Sequence, residues 1–141
     1  MEKTTEAVKI KKDVFFTGTG RRKRAVARVW LWHKDGEYTV NGKQLIEAFP
    51  KDRDQKDLLG PFYANATPIP KFTVSVKVQG GGVSSQKDAI IMGLARALEQ
   101  FNPEFRPALK KREYLSRDPR EKERKKYYLR KARKAPQYSK R

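Results

Sequence analysis

The 141 residues carry 34 Lys or Arg against 16 Asp or Glu, a formal net charge of +18 and a pI near 10.3, more like charge than a compact protein holds comfortably without a polyanionic partner. With no cysteine the chain has neither disulfides nor thiolate zinc sites, and no stretch has the apolar length of a bilayer span. The opening Met1-Glu2-Lys3-Thr4-Thr5-Glu6 lacks the apolar run of a secretory signal, and its two early acids argue against an organellar transit peptide. Nucleic acid is the commonest partner for such a charge, and an anionic membrane surface is the next candidate. A hydrophobic fraction of 37% permits one packed domain, though not from the whole length.

The first predicted strand is Val14-Phe15-Phe16-Thr17-Gly18, followed by a basic connection, Thr19-Gly20-Arg21-Arg22-Lys23-Arg24. A second strand runs over residues 25–33, with Ala27, Val29 and Leu31 on one face and Arg28, Trp30 and Trp32 on the other. The Asp-Gly pair in Lys34-Asp35-Gly36-Glu37 predicts a tight hairpin into a returning strand at 37–40. Asn41-Gly42 signals a further turn. Residues 44–49 read as one or two helical turns closed by Pro50, and 54–64 as a short helix interrupted near Gly60-Pro61. The clearest strand covers 71–79, where Phe72, Val74, Val76 and Val78 alternate with Thr73, Ser75, Lys77 and Gln79. Gly80-Gly81-Gly82 breaks it. Ser84 or Ser85 then caps a long helix, Ser85 and Asp88 resembling a capping box, and Ile90, Leu94, Ala97, Leu98 and Phe101 form its apolar stripe. Asn102-Pro103 ends it. Strands with one long amphipathic helix and no repeated βα alternation predict an α+β, two-layer sandwich.

Composition changes at residue 105. Residues 105–141 hold 16 Lys or Arg and four Asp or Glu, a net of +12, which leaves +6 for the first 104. The expected organisation is a flexible segment at 1–13, a globular RNA-binding body at 14–104 and a long, extended, basic C-terminal arm at 105–141. A short helix is expected in 103–112. Asp118-Pro119-Arg120-Glu121 reads as a local helix start, but like charges at Lys122/Lys126, Lys126/Arg130 and Arg130/Lys134 oppose its extension. Free in solution such an arm is expected to be disordered and to order on its partner. Its last 23 residues would reach on the order of 75 Å if extended, against a radius of gyration of roughly 13 Å for the body.

One-signed charge interleaved with Tyr127, Tyr128 and Tyr138 points to phosphate binding with base stacking rather than to a solvated tail. The Gly18-Thr19-Gly20 stretch before its cations reads either as a phosphate seat or as a plain basic loop. Gly80-Gly81-Gly82 reads either as an anion site at a helix N-terminus or as a strand-to-helix turn, and it lacks the lysine and hydroxyl of a nucleotide loop. His33 is the only histidine and reads as a surface residue. Trp30 and Trp32 would stack on bases, pack under a helix or meet a partner protein. Asp52, Asp54, Asp57 and Asp88 show no metal-ligand pattern and read as surface and capping groups. No nucleophile, base and oxyanion site assembles, so no enzyme, metal or cofactor is expected.

The residues now quoted resemble the bacterial-type S-nine proteins of the small ribosomal subunit. The resemblance rests on Gly18-Thr19-Gly20-Arg21-Arg22-Lys23 with Ala27-Arg28-Val29, on Val78-Gln79-Gly80-Gly81-Gly82-Val83-Ser84, and on Ser116-Arg117-Asp118-Pro119-Arg120 with Glu123-Arg124-Lys125-Lys126. It rests finally on Lys131-Ala132-Arg133-Lys134-Ala135-Pro136-Gln137-Tyr138-Ser139-Lys140-Arg141. It covers about residues 14–141, with Gln79 standing where Lys is common. The resemblance implies a fold shared with the second domain of ribosomal protein S-five, including a left-handed βαβ crossover that general handedness would disfavour. It also implies a place in the head of the small subunit of a cytoplasmic, bacterial ribosome rather than an organellar one. The implied partners are the major 3′ domain of the small-subunit rRNA, neighbouring head proteins and P-site tRNA, with no membrane and no homo-oligomer. The expected rRNA-binding residues are Arg21, Arg22, Lys23 and Arg24 in the body and Lys110, Lys111, Arg112, Arg117, Arg120, Arg124, Lys125, Lys126, Arg130, Lys131, Arg133 and Lys134 in the arm. Ser139, Lys140 and Arg141 are expected to contact P-site tRNA. Rival readings are a protein subunit of an RNA-processing ribozyme and a small-molecule kinase of related fold. The first would not be expected to end in this arm, and the second needs a nucleotide loop and catalytic carboxylate not found here.

Overall fold

The computed structural model describes residues 14–64 and 72–140; the expected flexible segment 1–13, the start of the 71–79 strand at Lys71 and the terminal Arg141 lie outside them. In chain order the elements are β1 (Phe15–Arg22), β2 (Ala25–Trp32), β3 (Tyr38–Val40), β4 (Lys43–Gln44), α1 (Leu45–Ala48), α2 (Asp52–Ala64), β5 (Thr73–Gln79) and α3 (Val83–Phe101). A 3₁₀ turn (Pro103–Phe105) and α4 (Arg106–Lys111) follow. The strands form one mixed sheet in the order β1-β2-β5-β3-β4, with β3 parallel to β5 and the other pairs antiparallel. The architecture is α+β, as the sequence predicts.

Alternation sets which face packs. Ala25, Ala27, Val29 and Leu31 of β2 and Val74, Val76 and Val78 of β5 are all buried and meet Ile90, Leu94, Ala97 and Leu98 of α3 in one core. Each Val, Leu or Ile among these removed from water contributes roughly 1.5–3 kcal/mol, and each Ala less. Leu58 and Phe62 of α2 and Leu109 of α4 join this core, and Tyr114 and Leu115 pack against it, so packed chain continues well past Phe105. Trp30 and Trp32 pair across the sheet with Ser75 and Thr73 and with Thr17 and Phe15, on the face away from that core.

Three local expectations give way to longer-range packing. The Asp35-Gly36 hairpin does not form, because β5 lies between β2 and β3. Seven residues of β5 pair along β2, burying a row of valines that three-residue β3 could not match. Gly36 instead lets the chain cross tightly over β5: a Cβ there would lie 2.1 Å from Thr73 Oγ1. Helix α2 continues through Gly60-Pro61, where both residues are buried; a mid-helix proline costs about 3 kcal/mol, offset by burial of its flanking Leu58 and Phe62. Neither Ser84 nor Ser85 caps α3. Gly82 occupies the N-cap position without any side-chain cap, and Asp88 pairs with Arg22 instead. Asn41-Gly42 does make the predicted turn, with φ of 51° and 78° joining Val40 to Lys43.

Gly18 and Gly20 correct a further reading. They are not part of a phosphate-seating loop but buried positions inside β1, pressed on α3. A Cβ at Gly20 would lie 1.7 Å from the carbonyl oxygen of Ala89, and one at Gly18 would lie 2.0 Å from that of Gly93. Gly20→Ala is expected to lower stability by about 3 kcal/mol or more, read as a fall in the urea unfolding midpoint. A midpoint within error of the parent would show that the helix is not held at backbone contact.

Candidate RNA-binding surface

β1 and β2 meet at a two-residue turn, Lys23-Arg24, with Lys23 at φ 51°. Alternation divides the cations beside it. Arg21, Lys23 and Arg24 are exposed, whereas Arg22 points to the α3 side of the sheet and is half-buried. Its Nε lies 3.7 Å from Asp88 Oδ2, and its Nη1 donates to Asp118 Oδ2. Arg22 therefore spends its charge on a carboxylate of α3 and one of the arm.

Asp118 is the centre of this joint. Arg120 forks onto it, Nε donating to both carboxylate oxygens at 3.0 and 2.9 Å and Nη2 to Oδ2 at 2.6 Å, while the Arg120 backbone N–H donates to Oδ1 at 2.9 Å. The Arg120 guanidinium, then the backbone N–H and Arg22 hold the Asp118 carboxyl well below the usual carboxylate range. Three residues on, Glu121 Oε1 accepts from Arg24 Nε at 3.4 Å. The predicted helix does not continue from Asp118: its Oδ1 takes the Arg120 backbone N–H as a cap would, but Glu121 reaches across to Arg24 instead of turning back to close a capping box. Residues 117–126 have no regular secondary structure. Beside the joint, a cavity of about 480 Å³ is lined by Arg21, Arg22, Asp88, Tyr114, Arg117 and Asp118, among others.

Beyond Glu121, ion pairs among the described residues stay within the arm: Glu123 accepts from Lys126 Nζ at 2.7 Å and Arg133 Nε at 3.0 Å, which together lower its pKa. The remaining expected arm cations, Lys110, Lys111, Arg112, Arg117, Arg124, Lys125, Arg130, Lys131 and Lys134, are exposed, with Lys110 and Lys111 in the last turn of α4. Tyr127, Tyr128 and Tyr138 are 79, 89 and 85% exposed, so their rings are open to stacking. Ser139 and Lys140 are exposed, and Arg141 lies outside the described residues.

The structure thus brings the hairpin turn and the arm root together while leaving most arm cations without a carboxylate partner among the described residues. Sequence reasoning missed that Asp118 and Glu121 fasten the arm to the hairpin. Their only signal was to be acids in an otherwise basic stretch. It also missed Arg28 and Lys77, which pair across β2 and β5 on the face bearing the tryptophans. Asp54 and Asp57, read as surface or capping groups, both accept from Lys87 Nζ, at 3.0 and 2.8 Å, and so tie α2 to α3. Among the described residues no cluster of acids and His is arranged to hold a metal, and no helix is long and apolar enough to cross a membrane.

The profile of a family described as Ribosomal protein S9/S16 matches residues 20–141. The chain belongs to this family. Curated relatives agree with it. Small ribosomal subunit protein uS9 of Thermotoga petrophila is 49% identical over 129 residues, 89% of this chain and 96% of the relative. The proteins of the same name from Thermotoga maritima and Thermotoga neapolitana are 49 and 50% identical, over 91 and 89% of this chain and 97 and 96% of their own lengths. The family is one of structural proteins of the small ribosomal subunit, not of enzymes, and the resemblance read from the motifs is borne out.

A depressed carboxylate contributes above its unfolded pKa and is lost only as pH falls through the lower folded value. The Asp118 joint should therefore stay closed at pH 4, where a free aspartate is about half protonated. Spin labels on Lys43→Cys and Lys122→Cys should give the same distance distribution at pH 7 and pH 4, and a broader one at pH 7 in Asp118→Asn. A distribution unchanged in Asp118→Asn would remove the joint's role.

Proposed function

We propose that this protein builds the head of the small ribosomal subunit by binding the major 3′ domain of its rRNA at two linked places. The body docks through Arg21, Lys23 and Arg24, and the arm neutralises phosphates along Lys110, Lys111, Arg112, Arg117, Arg120, Arg124, Lys125, Lys126, Arg130, Lys131, Arg133 and Lys134. Arg22 acts mainly by positioning the arm, since both of its partners are carboxylates of the protein itself. The observation that carries the reading is the charge partition: residues 105–141 hold net +12 of the total +18, and among the described residues most of those cations have no carboxylate beside them. Contacts of this kind recognise backbone and shape more than base sequence.

The finer assignments follow the motifs shared with the S-nine proteins. The body takes a fold akin to the second domain of ribosomal protein S-five, with α2 in the crossover from β3 to parallel β5. The distal arm, which orders on its partner, threads through rRNA so that Ser139, Lys140 and Arg141 reach the anticodon stem-loop of P-site tRNA. The protein works as one copy per subunit, beside other head proteins, in the cytoplasm.

Deleting residues 119–141 should flatten the dependence of log affinity on log salt by several units, at roughly 0.7–0.9 per phosphate contact. Filter binding of the rRNA domain over a salt series measures this, and an unchanged slope would exclude the arm as a binder. Deleting only Lys140 and Arg141 should leave subunit assembly intact and speed the loss of P-site tRNA from programmed subunits. Unaltered tRNA retention would remove the tip's role.

A further inference from the structure

We propose that the cavity between the hairpin turn, the Gly80-Gly81-Gly82 loop and the arm root is a phosphate pocket that takes one phosphodiester of an RNA strand. The inference deepens the rRNA-binding reading and rests on it for the identity of the strand. The cavity, about 780 Å³, is walled on one side by the loop and first turn of α3, from Gly81 to Ser85.

That first turn is unfinished. Gly82 gives α3 no side-chain cap, and no acid stands in the first turn of this 19-residue helix. The loop's helical bonding begins with Gln86 N donating to Gly82 O, so the N–H groups of Val83, Ser84 and Ser85 have no intrahelical acceptor. They stand at the positive end of the helix dipole, where anions are favoured. The independent observation is Ser85. It is only 7% exposed, it lines the cavity, and its hydroxyl makes no hydrogen bond to any described residue. The hydroxyl oxygen is not sealed from solvent, so it is free to donate to a ligand in the cavity.

The loop is held in place for this. Gln86 Nε2 donates to Gly80 O at 3.1 Å. Gly80 lies at φ +75°, and a Cβ there would come within 2.5 Å of the Arg24 carbonyl oxygen, so glycine is what lets the loop approach the hairpin turn. Charge completes the pocket. Lys23 and Arg24 face it from the turn, and Lys122, Arg124 and Lys125 from the arm. Of the two acids on its wall, Glu121 is matched by Arg24 and Glu123 is engaged by Lys126 and Arg133, which leaves Lys23, Lys122, Arg124 and Lys125 for an anion.

Gly82 provides a test that spares the fold. Its φ of −93° suits any residue, and a Cβ there would meet nothing within 4 Å. Gly82→Asp should cap α3 with its own carboxylate, keeping or raising the melting temperature while closing the pocket to anions. In the full chain, inorganic phosphate at constant ionic strength should shift the Val83, Ser84 and Ser85 amides saturably. The apparent Kd should rise about tenfold in Gly82→Asp and several-fold in Ser85→Ala. Shifts matched by chloride, or unaltered in Gly82→Asp, would overturn the pocket. With the rRNA domain as ligand, Gly82→Asp should weaken binding several-fold and lower the salt slope by about one phosphate contact, roughly 0.7–0.9. Phosphate binding without any change in rRNA affinity would overturn the phosphodiester assignment, even where wild-type rRNA binding stands. Failure of the wild type to bind rRNA would instead refute the rRNA reading, and the phosphodiester assignment with it.

Discussion

Everything on the binding side of this protein depends on how closely α3 lies against β1. Gly18 and Gly20 have no room for a side chain, because the helix backbone at Ala89 and Gly93 occupies the space. Backbone contact draws the N-terminal half of α3 toward the β1–β2 hairpin. The hairpin turn, the glycine loop and the helix start then share one corner of the body. A side chain at Gly20 would push the helix away and separate these groups even if the chain still folded. Packing in the core thus decides where the cations stand, which is the usual order of cause in a small α+β domain.

The arm adds charge to that corner, and its few acids determine how. A wholly basic arm would be repelled by the hairpin's own cations. Asp118 and Glu121 give Arg22 and Arg24 partners and fasten the arm root there. These pairs are exposed or half-buried, where a single ion pair contributes little to global stability. Their effect is on direction. They fix where the arm leaves, and Glu123 then organises only neighbours within the arm. The cations left over have no carboxylate partner among the described residues, and a phosphate backbone can satisfy them together.

Elements with strong internal period were legible in the sequence. The Val74, Val76, Val78 alternation and the Ile90-to-Leu98 stripe predicted β5 and α3, because burial of one face enforces a period of two or of 3.6. Elements whose fate depends on distant partners were not. Asp35-Gly36 looked like a hairpin because the turn signal is local, whereas the insertion of β5 is not. Gly18 and Gly20 looked like a loop because nothing in a strand's own sequence announces that a helix backbone will lie on it. Within the candidate site, exposed arm cations followed from charge alone. The inward turn of Arg22, the joint at Asp118 and the missing cap at Gly82 required knowing which elements meet at the hairpin.

The central claim is that hairpin turn and arm root form a single surface on one region of rRNA. Because the chain has no cysteine, a radical-generating probe can be tethered at Lys23→Cys or at Lys125→Cys without competing thiols. In reconstituted small subunits the two probes should cleave overlapping sets of nucleotides. Two separate sets with no nucleotide in common would contradict the claim.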